Sequence, residues 1–420
     1  MSTTASTDSA CVSEAGSSSP ERDFDVYSDQ YIQGAADVWD ELRPECPVAH
    51  SSHNGGHWMP TTWDDIAAVA YDTENFSSRD ITVAPTPEGV GLLTAPPITS
   101  DPPFHTDARR LLLPFFGPTA VDEMVEVTRS IARERLDAIA AETGADRGES
   151  GVTDAADTYS KHIPVRVIAR ILGLPESDEP KFTRWAVDVL QSKGDEFDRR
   201  ADATREVLHY FGELTDQRRQ ERADDLPSKL LDMRLPNGDP LANHHITGAS
   251  FLLLLAGIDT TWSSISSSLM HLAMNPADRE RLVAEPALIP TAIEEFLRAY
   301  APVTMARVTA TDDAQIGGCP VAHGDKVLLP FGAGNRDPAK FDRPDEVIID
   351  RAENRHFAFG LGIHRCLGSN LARMELRIAI EEWLARFPKF ELATDVGRGG
   401  VEWGGVQVRG PRNLQIRVGI

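Results

Sequence analysis

Residues 359–368 read F-G-L-G-I-H-R-C-L-G, and this stretch decides the fold more than any other part of the chain. Gly360 and Gly362 permit a sharp backbone turn and a close approach to a flat ligand, where a Cβ atom would collide. Residues 367–377 have amphipathic helical spacing, which places Cys366 at a helix N-terminus. Free N–H groups and the helix dipole favour a thiolate there, and a thiolate binds metals. The alternative is a glycine-rich loop with a buried, inert cysteine.

These residues carry a resemblance to a known family. Phe359, Gly360, Gly362, Cys366 and Gly368 match the F-G-x-G-x-x-x-C-x-G signature, so the chain resembles the cytochrome P450 heme-thiolate enzymes. The resemblance implies heme b, iron protoporphyrin IX, with Cys366 as the metal ligand and Phe359, Gly360 and Gly368 as further cofactor contacts. It also implies a mainly α fold with a minor β region, in which heme lies between a long central helix and the cysteine loop.

The resemblance covers residues 23–420, which we predict to form one catalytic domain. Residues 1–22 are rich in Ser and Thr and lack the basic and apolar regions of a signal peptide, so they are predicted to form a disordered tail. The longest apolar run, 251–258, is far shorter than the roughly 20 residues that span a bilayer. We therefore expect a soluble, cytoplasmic protein without a membrane anchor.

The acidic composition bears on the choice of partners. A net charge of −23 argues against nucleic acid and against an anionic membrane surface as partners. The chain has no flavin or iron–sulfur segment after the cysteine helix. By resemblance, electrons should come from NAD(P)H through a ferredoxin and a ferredoxin reductase. Arg365, Arg373 and Arg377 are predicted to form the basic patch where an acidic ferredoxin docks.

A second motif is A-G-I-D-T-T at residues 256–261, inside an apolar helical stretch. Gly, Asp and Thr are poor residues for a helix interior, since Gly alone costs about 1 kcal/mol relative to Ala. The motif resembles the oxygen-binding groove of the family. There Ala256 and Gly257 would lie against the cofactor, with Gly257 leaving room for the iron's ligand. Thr260 and Asp259 would be catalytic, Thr260 through its hydroxyl and Asp259 as a proton relay. The alternative is a serine- and threonine-rich helix with a solvated polar face.

The segment E-E-F-L-R at 294–298 supplies a third motif. Glu295 and Arg298 share a helix face at i, i+3 spacing and match the family's E-x-x-R pair, which is structural. The third member of that network usually comes from a P-x-R-F-like segment, which is P-D-E-V at 344–347 here. Glu346 stands where an arginine is often found, so the third partner is left open.

The two propionates of a heme need cationic or hydrogen-bonding partners when they are buried. His105 and Arg109 are one helical turn apart and match the family's H-x-x-x-R pattern. By the same resemblance, Arg307 and His364 should complete the set.

The substrate contacts are predicted from helical spacing and from loops beside these motifs. They form a mainly apolar set, consisting of Ile81, Val83, Leu252, Leu253, Val303, Thr304 and Val406. We therefore expect a small to medium, mainly apolar organic substrate.

The function predicted from these motifs is a monooxygenase that inserts one atom of O2 into a C–H bond. A peroxygenase or oxidative coupling enzyme of the same fold is an alternative, although the Asp259–Thr260 pair argues against peroxide dependence. A heme-binding sensor without turnover is the alternative from a different class.

Periodicity predicts helices over 62–71, 104–141, 154–222 with breaks, and 245–272. Strands are predicted around 57–60, 303–308, 326–330 and 415–418, with a long loop over 80–99.

Overall fold

The computed structural model describes residues 23–84, 92–193, 196–393, 401–405 and 407–420. The predicted tail, residues 1–22, and Val406 lie outside the described residues. Helices dominate the described chain, and the strands form a smaller region, so the predicted mainly α fold with a minor β region is confirmed.

The helices in chain order are α1 Asp29–Glu45, α2 Trp63–Tyr71, α3 Phe104–Leu112, α4 Pro118–Asp122, α5 Val125–Thr143, α6 His162–Ile171, α7 Glu179–Leu190, α8 Phe197–Gln220, α9 Leu226–Asp232, α10 Asn243–Met274, α11 Pro276–Ala284, α12 Ile289–Ala299, α13 Phe331–Gly334 and α14 Ser369–Arg386. The strands are β1 Val48–Ser51, β2 His57–Pro60, β3 Phe76–Ser77, β4 Gly151–Asp154, β5 Thr304–Thr309, β6 Gln315–Ile316, β7 Cys319–Pro320, β8 Lys326–Pro330, β9 Phe390–Leu392, β10 Val401–Gly404 and β11 Gly410–Val418.

Local sequence explains where several elements begin. The side chain of Thr62 accepts a hydrogen bond from the Asp65 N–H and so caps α2 at the predicted position. Strands β2 and β8 have the predicted bounds, and β5 is displaced by one residue from its prediction. Strand β11 is longer than predicted because its first half pairs with β10 and its second half with β4 and β9.

The strands divide into separate small sheets. One has the order β1-β2-β8-β5-β3, a second has β10-β11-β4 with β9 also paired to β11, and β6 pairs with β7. The five-stranded sheet packs with α1 and α2 around one apolar cluster, whereas a larger cluster joins the helices.

Helix α10 is the centre of the helical region, where it packs against α6, α7, α8 and α14. By length and composition it is apolar enough to cross a membrane, but 72% of its most apolar window is buried inside the protein. Burial on all sides explains why a helix of 32 residues is apolar around most of its circumference. The helix forms one wall of the candidate site.

Candidate active site

A cavity of about 1260 Å³ separates α10 from the loop formed by residues 359–368. Its wall is mainly apolar and includes Phe251, Leu252 and Ala256 on one side and Phe359 and Leu361 on the other. Small-molecule sites usually have volumes of about 300–1,000 Å³. The cavity is therefore large enough for a macrocycle together with a second organic molecule.

Cys366 lies in the cavity wall, where its side chain is exposed to the cavity although protein encloses the sulfur on its other sides. Its N–H donates to the Phe359 carbonyl at 2.7 Å, which closes the loop. Burial raises the pKa of the Cys366 thiol, while the Gly368 N–H and nearby arginines oppose the rise. A metal cation bound to the sulfur would displace the proton outright.

The helix after Cys366 begins later than the sequence spacing predicts. Helix α14 starts at Ser369 with Gly368 as its N-cap, so the prediction that the helix starts at residue 367 is wrong by two residues. Gly368 is instead the residue whose backbone N–H faces the sulfur.

Glycine is needed at positions 360 and 362, before the cysteine, for partly different structural reasons. Both have left-handed backbone angles, with φ of +65° at Gly360 and +61° at Gly362. A Cβ atom at Gly362 would lie 2.6 Å from the Ala70 carbonyl oxygen of α2, which is a collision with protein. A Cβ at Gly360 would meet only ordinary contacts with Phe331. Packing against α2 thus requires glycine at position 362, and the close approach to a flat ligand stays a prediction.

Four basic side chains predicted to bind propionates come together beside the cavity. The rings of His105 and His364 lie 4.4 Å apart, and Arg109, Arg307 and His364 all line the cavity. His364 Nε2 shares a 2.9 Å hydrogen bond with the Ser78 hydroxyl. Burial, with repulsion from the two arginines and His105, lowers the pKa of His364 to about 2.

Asp101 attracts His105 and Arg307 electrostatically, but its oxygens bind Ser77, Ser78 and Arg79. Neither ring nitrogen of buried His105 has a side-chain partner among the described residues. Burial lowers the pKa of Arg307 to about 10, and the guanidinium donates to the carbonyl of Ala306. Arg109 donates to the Arg365 carbonyl at 2.6 Å. Buried cations and unpartnered donors are costly without a counter-charge, so the cluster fits a dianionic ligand such as the two propionates of heme.

The motif on α10 places its residues on two different faces. Ala256 and Thr260 face the cavity, and the Thr260 hydroxyl donates to the Ala256 carbonyl at 2.7 Å. The Thr260 oxygen therefore keeps its lone pairs for a ligand in the cavity. Gly257 borders the cavity, but a Cβ there would point at Ile168 Cγ1 of α6, 3.0 Å away. Close packing of α10 on α6 thus favours glycine at this position, and the predicted space for a ligand stays a prediction.

Asp259 is completely buried on α10 and has two polar neighbours. Its Oδ1 accepts a hydrogen bond from Gln191 Nε2 at 2.9 Å and forms an ion pair with Arg412 Nη2 at the same distance. Its Oδ2 has no partner. Burial raises the pKa of Asp259, while Arg412 and Gln191 lower it less strongly. Sequence spacing gave no indication of Arg412, because β11 brings it to α10 from about 150 residues away.

The serine- and threonine-rich part of α10 after Asp259 is buried throughout residues 261–273. The hydroxyls of Ser263, Ser264 and Ser268 each donate to the carbonyl four residues earlier in the helix. Because these hydroxyls are satisfied by their own helix, the alternative of a solvated polar face is wrong.

Glu295 and Arg298 form a fully buried ion pair with two hydrogen bonds of 2.8 and 2.9 Å. The cationic third partner left open by the sequence is Arg351, whose Nε donates to Glu295 Oε2 at 3.0 Å. Glu346 contributes only its carbonyl oxygen, which accepts from Arg298 at 2.8 Å. Arg351 is five positions after Glu346, so the P-D-E-V segment at 344–347 did not indicate which residue supplies the network's cation.

Glu375 was not identified from the sequence. It lies on α14, is 2% exposed and borders the cavity. Burial raises its pKa to about 8, although a hydrogen bond with the Thr261 side chain opposes the shift. Helical periodicity offered a signal, because Glu375 falls on the buried face with Leu371 and Met374.

The predicted substrate contacts divide by position. Ile81, Leu252, Leu253, Val303 and Thr304 line the main cavity. Val83 is buried and instead lines a small neighbouring cavity of about 10 Å³, so its predicted place in the main cavity is wrong. Ile81 and Thr82 border both cavities, whereas Val83 borders only the smaller one.

The three arginines predicted to dock a ferredoxin are not equivalent. The Arg373 guanidinium is held by Glu294 through bonds of 2.6 and 2.8 Å and lies 4.4 Å from the Phe359 ring centroid. Arg377 is 3.7 Å from Glu381. Arg365 is exposed, and among the described residues it has no carboxylate partner.

Comparison with known proteins agrees with this geometry. Residues 61–398 match the sequence model of the family described as Cytochrome P450. The chain is 31% identical over 396 residues to a mycinamicin IV hydroxylase/epoxidase of Micromonospora griseorubida, covering 93% of this chain and 97% of that protein. It is also 31% identical over 408 residues to the 6-deoxyerythronolide B hydroxylase of Saccharopolyspora erythraea, covering 94% and 98%. The solved structure of the Bacillus subtilis bacillaene polyketide synthase cytochrome P450 PksS superposes with a TM-score of 0.83 at 29% identity, covering 94% and 99%.

Proposed function

Because this chain belongs to the cytochrome P450 family, we propose that it hydroxylates, or otherwise oxidises, a small to medium, mainly apolar organic substrate. Membership makes the chain a heme-binding oxidoreductase of the monooxygenase class. The observation that carries the proposal is the placement of Cys366 and Thr260 in the wall of one mainly apolar cavity, beside the basic cluster. Two of the similar proteins are named hydroxylases, which supports oxidation of a C–H bond.

Different residues would bind different parts of the cofactor. His105, Arg109, Arg307 and His364 would hold the heme propionates, and Cys366 would ligate the iron. Bound heme would supply the iron that activates O2, with the thiolate donating electron density. The apolar wall excludes water and holds the substrate beside that iron.

Asp259 and Thr260 would take part in proton transfer. The buried Asp259 carboxyl has a raised pKa and an unpartnered Oδ2, so it can take up a proton and pass it on. The Thr260 oxygen, whose own proton is directed at Ala256, accepts a hydrogen bond from a group in the cavity. Together they provide an acid and an acceptor on consecutive residues of α10.

Electrons are proposed to arrive from NAD(P)H through a ferredoxin reductase and a ferredoxin. Arg365 follows His364 in the cysteine loop, and Arg110 follows Arg109 on α3; both are exposed. The Arg109 bond to the Arg365 carbonyl joins these two segments. We propose that the ferredoxin docks around Arg110 and Arg365. Arg373 should contribute less to this docking, because Glu294 already neutralises its charge.

The domain and its location are also proposals. We propose that residues 23–420 act as one catalytic domain in the cytoplasm. The packing of α10 against α6, α7, α8 and α14 supports a single domain, because this helix joins elements from several parts of the chain.

The test is the optical spectrum of the purified ferrous protein with carbon monoxide. We expect the red-shifted Soret band of thiolate ligation, and we expect Cys366→His to abolish it. Cys46→Ser is the matched control, because Cys46 lies outside the cavity wall with its sulfur 3.4 Å from the Val48 carbonyl oxygen. An unchanged band in Cys366→His would exclude Cys366 as the ligand. Oxygen consumption that depends on both substrate and reductant would then separate an oxidising enzyme from a heme sensor.

A further inference from the structure

The cavity is mainly apolar, yet three arginines outside the propionate cluster contribute to its wall: Arg79, Arg200 and Arg205. Arg79 is strongly exposed and lies 3.5 Å from Asp101, and Arg205 forms an ion pair with Asp202. Arg200, near the start of α8, is half-buried and has no carboxylate within ion-pair distance among the residues that the structure describes. Of these three arginines, Arg200 is therefore the one without a carboxylate partner among the described residues.

Two neutral aromatic side chains lie beside the Arg200 guanidinium. It lies 5.7 Å from the Phe197 ring centroid, and it interacts with the hydroxyl of Tyr27. Burial raises the pKa of Tyr27, so its phenol stays neutral at ordinary pH even though Arg200 opposes the shift. Aromatic packing fixes the direction of the guanidinium but does not neutralise it.

Two carboxylates near Arg200 are bound by other groups. Asp80, in the loop that lines the cavity, is bound by Lys326. Glu196 accepts from the Lys193 N–H and from Arg199. Asp198 also borders the cavity, but it is exposed and only two residues from Arg200, a helical spacing that directs two side chains to different faces. Among the described residues of these elements, no carboxylate forms an ion pair with Arg200.

We infer that Arg200 binds the carboxylate of the substrate, so that the substrate is an apolar carboxylic acid whose hydrocarbon part extends into the cavity toward Thr260. This inference rests on the proposed function, since it names the substrate class of the same cavity. A guanidinium without a carboxylate partner matches a monoanion, and its planar pair of donors matches the two oxygens of a carboxylate. A hydrogen bond between two charged groups is stronger than one to a neutral carbonyl, which favours an acid over its amide.

The experiment is an optical titration of the heme-loaded enzyme, following the low-to-high-spin shift. The probes are three carboxylic acids of different shape, each paired with its primary amide: dodecanoic acid, biphenyl-4-carboxylic acid and abietic acid. We expect at least one acid to bind at least about tenfold more tightly than its amide. Arg200→Gln should reduce the affinity for that acid to the level of the amide, and Arg200→Lys should retain part of the preference.

Arg199→Gln is the matched control, because Arg199 is the adjacent residue, lies outside the cavity wall and is already paired with Asp188 and Glu196. It should keep the preference for the acid. Equal binding of acid and amide in all three pairs overturns the inference, as does an undiminished preference in Arg200→Gln. The carbon monoxide spectrum of the same samples distinguishes failure of this inference from failure of the proposed function. A thiolate band without acid preference refutes only the role of Arg200, whereas absence of the band in the parent protein refutes the proposed function.

Discussion

Replacing Glu295 with glutamine should destabilise the protein and reduce its heme content. The Glu295 carboxylate accepts two bonds from Arg298, one from Arg351, one from the Ile348 N–H and one from Asn354. Arg298 is 0% exposed and Arg351 8%, so Glu295→Gln leaves two buried guanidinium groups without an anion. Removing one partner of a buried ion pair costs about 3–5 kcal/mol.

That cost can be converted into a melting temperature. Unfolding entropies of about 2.1 cal/mol/K per residue give roughly 0.9 kcal/mol/K for a chain of 420 residues. The midpoint should therefore fall by about 3–6 °C. Heme content should fall as well, because Arg298 donates to the Asn335 carbonyl, and the Asn335 side chain accepts from the Phe357 N–H at the start of the cysteine loop.

The assay compares the thermal midpoint at a fixed scan rate with the heme bound per chain, measured as the pyridine hemochrome. Glu285→Gln is the control, because it removes an exposed carboxylate that lies 3.9 Å from Arg281. It should cost about 1 kcal/mol or less and leave the heme content near the parent value. If Glu295→Gln and Glu285→Gln have the same thermal midpoint and bind equal heme, the buried network does not support the cysteine loop and the reasoning is wrong.

Three further predictions concern buried groups near the cavity. Thr260→Ala should still bind heme and ligand but yield more hydrogen peroxide and less product per NAD(P)H consumed. Thr260→Ser should keep the parent ratio of product to NAD(P)H. If Thr260→Ala also kept that ratio, the role would belong to another group. Arg412→Gln should raise the pKa of Asp259 further, because a counter-charge 2.9 Å away is lost. The infrared carboxyl band that Asp259→Asn removes reports this titration, and an unshifted titration would show that Arg412 does not hold the carboxylate. The pKa of Glu375 is about 8 in the folded protein against an ordinary 4.5, so between these pH values the folded protein retains a proton that the unfolded chain releases. The free energy of unfolding should therefore fall as pH rises from about 4.5 to 8, by about 1.4 kcal/mol per pH unit. Glu375→Gln should flatten this slope in melting curves taken between pH 5 and 8, and equal slopes would contradict the raised pKa.

Local sequence determined the parts of this protein whose chemistry lies within one turn or one loop. The F-G-x-G-x-x-x-C-x-G spacing sets the loop that presents Cys366, since left-handed angles at Gly360 and Gly362 need glycine. The i, i+3 spacing of Glu295 and Arg298 places them on one helix face, where they pair. The apolar stretch around Ala256 forms α10 because a helix buried on every side tolerates apolar residues around its circumference.

Tertiary structure decided which distant residues complete those local units. The partner of Asp259 is Arg412 because β11 packs beside α10, and no spacing within either segment specifies that contact. Gly257 serves the packing of α10 on α6, and Val83 faces the smaller cavity, because the neighbouring backbone fixes the space beside each residue. Short-range patterns fix backbone angles and the face of an element, whereas burial, counter-charges and pKa values depend on atoms that only the folded chain brings within a few ångströms.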